Sequence, residues 1–188
     1  MPCAPGGPCE QGEEHASLVD GIRAVVSSLG CSGGRQDSHL STQLPEVGAA
    51  VGALVGRGAG LTPSGDDALA GALLVARALD GGDAMADAVR ARLGATTAVS
   101  AALLDAAADG YAARPVVTLV DAAVAGDAAA VSRVLPAVLA IGHTSGRDTV
   151  AGIRAALDAL GSRVGCSHGC RDDHLSTQLE KTRAGSAA

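Results

Sequence analysis

Aromatic residues are almost absent from this sequence, which has no Phe, no Trp and a single Tyr among its 188 residues. Apolar residues still make up 47% of the chain, so its core must be built from Ala, Leu and Val. Strands favour β-branched and aromatic residues, and only residues 115–120 and 24–26 are locally rich in them. We therefore predict an all-α fold, a compact bundle of partly orthogonal helices with Gly-rich loops at helix N-termini.

An excess of positive charge is also lacking. Lys and Arg number 14 against 20 Asp and Glu, for a formal net charge of -6, which gives no field to hold a phosphate backbone. The most apolar stretch, residues 68–79, is interrupted by Arg77 and is shorter than the roughly 20 residues of a membrane span. The first residues lack the positive start and apolar run of a secretion signal. We expect a cytoplasmic protein that binds neither nucleic acid nor membrane.

Cysteine is scarce and lies outside the central region. The five cysteines are Cys3, Cys9, Cys31, Cys166 and Cys170. An odd number in a cytoplasmic chain favours free thiols or metal binding over disulfides. Cys166, His168 and Cys170 are zinc-ligand types without the usual C-x-x-C spacing, so this segment is either a metal site or a tail that happens to be rich in Cys and His.

The length suits one domain with a core of its own. Residues 1–16, rich in Gly, Pro and acids, are predicted to be disordered. Residues 17–161 are predicted to form the helical domain, with its core in 46–161, and residues 162–188 to form a polar tail. Helical periodicity and capping residues predict helices over residues 17–29, 46–55, 66–79, 83–93, 97–108, 128–141 and 147–160. Residues 115–125 fit a helix or a short strand.

The first motif, LTPSGDD at residues 61–67, follows a loop with glycines at Gly56, Gly58 and Gly60. Ser64 is a favoured helix N-cap, and Asp67 lies three residues later, as in a capping box. A bare backbone loop at a helix start attracts anions. The motif is therefore either an ordinary capped helix or a ligand site, and we favour the ligand site.

The spacing of Gly60 and Gly65 resembles a P-loop. However, Asp66 and Asp67 stand where the Lys and the Ser or Thr would hold phosphate and Mg²⁺, so a P-loop NTPase is rejected. Adjacent carboxylates repel a bare anion unless a cation lies between them or one of them points away. Asp66 and Asp67 are therefore candidate Mg²⁺ ligands.

The second motif, GHTSGRD at residues 142–148, repeats the first. Residues 64–71 and 145–152 share the pattern S-G-x-D-x-(apolar)-A-G, so two helices are predicted to start with the same chemistry and to face one cleft. The candidate anion- and substrate-binding residues are Gly58, Gly60, Thr62, Ser64, Gly65, Thr97, Thr144, Ser145, Gly146 and Arg147. The candidate catalytic residues are Asp66, Asp67, His143 and Asp148.

Several of these residues have a simpler interpretation. A histidine in a turn, such as His143, is more often a hydrogen-bonding or capping residue than a catalyst. Arg147 offers a fork that suits carboxylate or phosphate, but an arginine on the first turn of a helix is usually solvated. Thr96, Thr97 and Ser100 precede or begin a helix, where capping is the favoured role.

Three segments together resemble the AllH-type family, which is named for a subunit of oxamate carbamoyltransferase. They are GAGLTPSGDD at 58–67, ATT at 95–97 with Ser100, and IGHTSG at 141–146 with Asp148. The resemblance covers about residues 47–160, and the family's N-terminal region has no counterpart before them. The first and third segments are its most specific parts.

The resemblance implies a bacterial cytoplasmic protein of allantoin and purine breakdown that works with other subunits of a carbamoyltransferase complex. The complex would convert oxalurate and phosphate, small anionic substrates, into oxamate and carbamoyl phosphate. The resemblance assigns no role to single residues, and it implies a transferase subunit that is not active alone. The alternative is a non-catalytic helical interaction module, in which the glycine motifs serve tight packing.

Overall fold

The structure, a computed structural model, describes the backbone of residues 8–28 and 40–168 and the side chains of residues 16–27 and 46–161. These residues form α-helices and no strands, which confirms the all-α prediction. The helices are α1 (Pro8–Ser28), α2 (Leu40–Gly52), α3 (Ser64–Ala78), α4 (Asp83–Arg90), α5 (Ala98–Ala108), α6 (Arg114–Val124), α7 (Ala128–Leu139) and α8 (Ser145–His168), with a 3₁₀ turn at Leu93–Ala95. None of these helices has both the length and the apolar character needed to cross a bilayer.

Helix α3 lies at the centre of the fold. It packs chiefly against α8 and also against α5 and α6, and most of its residues are buried. The largest fully buried side chains include Ile22, Leu54, Leu69, Leu73, Met85 and Leu104. The single aromatic residue, Tyr111, is 71% exposed, so the described core is aliphatic, as the composition predicts.

Two glycines allow α3 and α8 to cross with their backbones in contact. A Cβ atom on Gly71 would overlap the carbonyl oxygen of Thr149, and one on Gly152 would overlap the carbonyl oxygen of Ala68. Ala68 and Thr149 occupy the same position in the two copies of the repeated motif. The contact is therefore reciprocal, and the two helices are related by a local twofold arrangement.

Several predicted helix boundaries differ from the structure. Helix α1 begins at Pro8 rather than at residue 17, and α2 begins at Leu40 rather than at residue 46, so both predicted starts were wrong. The helix predicted over residues 83–93 begins at Asp83, with Gly82 as its N-cap, but it ends at Arg90. The division into residues 1–16, 17–161 and 162–188 stays a prediction, although α1 starts inside the first segment and α8 ends inside the last.

Other local predictions hold. Residues 114–124 form a helix, with a proline in its first turn. The Asp127 side chain accepts a hydrogen bond from the Ala130 N–H at 2.9 Å and so caps α7, as predicted. Pro136 lies inside α7 without ending it, three residues before the last one.

Candidate functional site

The two copies of the repeated motif lie against each other. The hydroxyl oxygens of Thr62, in the first loop, and Ser145, the first residue of α8, are 2.8 Å apart and share a hydrogen bond. This contact joins residues 83 positions apart in the sequence. The N-terminal ends of α3 and α8 therefore meet, as the repeat predicts.

A second pair of motif glycines lets the start of each helix pack closely against the end of the preceding helix. A Cβ atom on Gly65 would overlap the carbonyl oxygen of Leu54, just after α2, and one on Gly146 would overlap that of Val138, in α7. Gly58 has a φ of 118°, and its Cβ would lie 2.7 Å from the amide nitrogen of Ser64. These close approaches fix the loops on which the site depends.

Most amides of the two helix starts are already used by the fold. In α3 the Gly65 N–H donates to Arg57 at 2.8 Å, and the amides of Asp66 and Asp67 donate to Pro63. In α8 the amides of Gly146, Arg147 and Asp148 likewise donate to backbone carbonyls. Since only the first four amides of a helix lack partners within it, few of these amides remain for an anion.

Ser64 is that first residue in α3, and the prediction that it caps the helix was wrong. The N-cap is Pro63, and no side chain caps this helix. Proline holds φ near -65°, and Pro63 has a φ of -53°. Because proline, which has no hydroxyl, occupies the N-cap position, the helix starts without a capping side chain. The Ser64 side chain is half-buried.

Asp66 holds the loop together. It is 2% exposed, and its Oδ1 accepts a hydrogen bond from the Gly56 N–H at 2.8 Å. Its Oδ2 accepts one from the hydroxyl of Thr96, in the segment before α5. Both oxygens are therefore bonded within the protein, and Asp66 ties the glycine loop to the start of α5.

Asp67 and Asp148 differ from Asp66 in their partners. Each is 8% exposed, and each has a buried Oδ2 with no hydrogen-bond partner in the described residues. Burial raises the pKa of Asp67 to about 6, and the negative charges of Asp148 and Asp66 add to this, while the hydroxyls of Ser145 and Thr62 lower it. The two motif aspartates thus face each other's charge across the α3–α8 junction.

His143, Thr144 and Arg147 lie at the edge of this junction. All three are exposed, on the loop and first turn that carry Ser145. No ion pair in the described part of the chain involves His143, Arg147 or either of the two unpartnered aspartates. The catalytic role predicted for His143 and the substrate contact predicted for Arg147 stay predictions.

Thr97 acts as a helix cap. Its side chain accepts a hydrogen bond from the Ser100 N–H at 3.1 Å, which caps α5, and donates one to the carbonyl oxygen of Leu61. The predicted capping role of Thr97 is therefore confirmed, and its place among the anion-binding candidates stays a prediction. Thr97 also connects α5 to the glycine loop.

We expect Thr97→Val, which keeps the shape and removes the hydroxyl, to lower the free energy of unfolding by about 1 to 2 kcal/mol. The matched control is Thr118→Val on α6, where an exposed hydroxyl bonds only to the Arg114 carbonyl of its own helix. That change should cost less than about 0.5 kcal/mol. Urea unfolding followed by circular dichroism measures both, and equal losses would contradict the double role of Thr97.

Sequence reasoning did not predict the surroundings of Thr96 and Ser100. Thr96 was interpreted as a helix cap, yet its hydroxyl donates to the buried Asp66. Its position in the ATT segment was the one feature of the sequence that could have indicated this role. Ser100 is 1% exposed and its hydroxyl has no partner in the described residues. No pattern in the sequence separates such a hydroxyl from an ordinary first-turn serine.

A cavity of about 310 Å³ lies elsewhere, at the C-terminal end of α3. None of the predicted site residues lines it. Its principal cation, Arg77, already pairs with Asp83 at 2.5 Å and donates to the Ala108 carbonyl at 2.6 Å. Two of the buried side-chain atoms that lack a hydrogen-bond partner among the described residues, Asp67 Oδ2 and Asp148 Oδ2, belong instead to the first turns of α3 and α8.

Groups of three or more His, Cys, Asp or Glu that could hold a metal are not found among the described residues. The Cys and His residues from Cys166 to Cys170 lie outside the described side chains, so the prediction for them stays open.

The helices that build this junction are matched by a family model. The family is described as oxamate carbamoyltransferase subunit AllH, and the match covers residues 54–157, which include both motifs and all of α3 to α7. The chain belongs to this family, and its role is that of an oxamate carbamoyltransferase subunit. No solved structure matches the chain.

Proposed function

We propose that the chain binds a small anionic substrate of the carbamoyltransferase reaction at the junction of α3 and α8. The observation that carries the proposal is the hydrogen bond between Thr62 and Ser145, which places two helix N-termini and two buried aspartates together. The candidate ligands are phosphate, carbamoyl phosphate and oxamate, all of which are small anions.

The groups available for an anion are hydroxyls and a cation at the edge. Thr62 and Ser145 supply hydroxyls, and the positive ends of two helix dipoles favour negative charge. Arg147 lies on the first turn of α8, exposed to solvent, where its guanidinium can pair with a carboxylate or phosphate. Because the amides of Gly65 and Gly146 already donate to backbone carbonyls, the hydroxyls and Arg147 are the main groups proposed to bind the anion.

The proposed setting is a bacterial cytoplasmic complex of allantoin breakdown, in which other subunits complete the reaction. A phosphate oxygen attacks the carbamoyl carbon of oxalurate, the bond from that carbon to the oxamate nitrogen breaks, and the nitrogen takes up a proton. The products are oxamate and carbamoyl phosphate. This chain contributes the anion site.

The test is isothermal titration of phosphate, oxamate and carbamoyl phosphate into the full chain. We expect at least one to bind, and Arg147→Ala to weaken its binding about ten-fold. Arg154→Ala is the matched control, because Arg154 is an exposed arginine two turns further along α8, with its side chain 84% exposed. Absence of binding, or an equal effect of both variants, would overturn the proposal.

A second candidate, a non-catalytic assembly module, is favoured by one specific observation. Gly65, Gly71, Gly146 and Gly152 all meet backbone atoms at distances that leave no room for a Cβ, so the motif glycines are explained by packing alone. In that case no anion would shift the melting temperature, while Gly65→Ala would still abolish folding or assembly.

A further inference from the structure

Three aspartates are buried at this junction, but only one of them is satisfied by the protein. Asp66, 2% exposed, accepts hydrogen bonds on both oxygens. Asp67 and Asp148, 8% exposed, each keep a buried Oδ2 without a donor. Asp66 shows that the fold can satisfy a buried carboxylate at this place, so the two open oxygens are a specific property of the motif aspartates.

A buried carboxylate oxygen without a donor is costly, even where hydroxyls reach the same carboxyl group, as those of Ser145 and Thr62 do for Asp67. The desolvation penalty amounts to several kcal/mol per ion in proteins, and like charges nearby add to it. Among the described residues no ion pair reaches Asp67 or Asp148, and Arg147, which precedes Asp148 in the sequence, is exposed. The compensating positive charge therefore has to come from a proton or from a cation in solution.

The chemistry of the donor atoms selects the kind of cation. Two carboxylates and the hydroxyls of Thr62 and Ser145 offer oxygen ligands, which hard cations prefer over His or Cys ligands. Mg²⁺ is commonly held by one or two carboxylates, with waters and substrate phosphates completing its octahedron. A site with two protein carboxylates, and no third acidic ligand, has this character. The helix starts also favour the ionised form of both carboxylates.

We infer that a divalent cation of the Mg²⁺ type binds between the carboxylates of Asp67 and Asp148, one from each copy of the S-G-x-D motif. This differs from the sequence prediction, which paired Asp66 with Asp67, because both oxygens of Asp66 are taken. The part of the inference that concerns substrate rests on the proposed function: the cation removes the repulsion between the acid pair and an anion, and it offers open positions to that anion.

Binding of the cation alone tests the inference. We expect the full chain to bind one Mn²⁺, measured by electron paramagnetic resonance, and Mg²⁺ to compete for it. Asp67→Asn and Asp148→Asn should each weaken Mn²⁺ binding by more than about ten-fold. Asp121→Asn, an exposed acid on α6, removes the same charge away from the site and should leave binding unchanged. Thermal melting checks that the variants are folded.

Two outcomes would overturn the inference: no Mn²⁺ or Mg²⁺ bound by the native chain, or binding that both Asn variants retain. Failure of the proposed function is separable. Cation binding without any response to phosphate, oxamate or carbamoyl phosphate leaves the cation site standing and removes the anion proposal. Anion binding that is the same in Mg²⁺ and in chelator leaves the anion proposal standing and removes the role of the cation in holding the anion.

Discussion

Gly152→Ala is expected to destabilise the protein by at least about 4 kcal/mol, which would lower the melting temperature by roughly 10 to 15 °C. The added Cβ would overlap the carbonyl oxygen of Ala68 and would also meet that residue's carbonyl carbon and Cα. These are backbone atoms of α3, so no side-chain rotation relieves the overlap. The two central helices would have to separate along their contact, which opens the aliphatic core between them.

Gly161→Ala is the matched control, since it makes the same change in the same helix. Nothing lies within 4 Å of a Cβ at Gly161, and alanine is the better helix former, so this variant should be more stable by up to about 1 kcal/mol. Urea unfolding and thermal melting of both variants decide the matter. A small loss in Gly152→Ala, comparable in size to the change in Gly161→Ala, would show that the helices are not in backbone contact.

Asp67→Asn is expected to be more stable than the native protein above about pH 7, by about 3 kcal/mol in the presence of chelator. The native carboxyl has its pKa raised from 3.8 to about 6, so the folded state holds a proton that the unfolded state has lost. The stability due to this proton is fully present below about pH 4, and it is lost as the pH rises through 6. Asparagine has no proton to lose, so its advantage appears only at the higher pH.

Asp66→Asn is the control for the pH experiment, because it makes the same change at the neighbouring buried aspartate. Both oxygens of Asp66 accept hydrogen bonds, from Gly56 and Thr96, and an amide would turn a donor toward one of these donors. This variant should be less stable at neutral pH by about 1 to 3 kcal/mol. Unfolding by urea at a series of pH values measures all three proteins. A constant difference between Asp67→Asn and the native protein would contradict the raised pKa.

Much of the architecture was predictable because the composition allows few alternatives. A chain with one aromatic residue and many alanines can pack helices closely but has little material for strands, and α3 to α8 follow the predicted order. The duplicated S-G-x-D pattern also predicted that two helix starts would meet, and the hydrogen bond between Thr62 and Ser145 shows that they do. Gly71 and Gly152 stand at the close helix crossing, as their place in the repeat indicates.

The division of roles between adjacent acids was not predictable. Asp66 and Asp67 both lie in the first turn of α3, and the sequence does not reveal which one faces the other motif. That depends on Gly56, ten residues before Asp66, and on Thr96, thirty residues after it, which together occupy Asp66 and leave Asp67 facing the junction. Likewise, serine is a residue type that often caps helices, and the sequence therefore suggested Ser64 as the N-cap of α3. The steric requirements of the preceding proline instead make Pro63 the N-cap, one residue earlier.

The two helix starts are not identical in their surroundings, although their central contacts are reciprocal. Gly65 meets a carbonyl eleven residues earlier in the chain, at Leu54, whereas Gly146 meets one only eight residues earlier, at Val138. The first connection is longer and carries the glycines with positive φ at 56, 58 and 60, while the second carries His143 and leads into the α8 turn that bears Arg147. The reciprocal contacts between α3 and α8 are therefore flanked by two different connecting segments. If the proposed anion binds here, a ligand with two different ends, such as a carbamoyl group joined to a phosphate, would meet different surroundings in its two orientations.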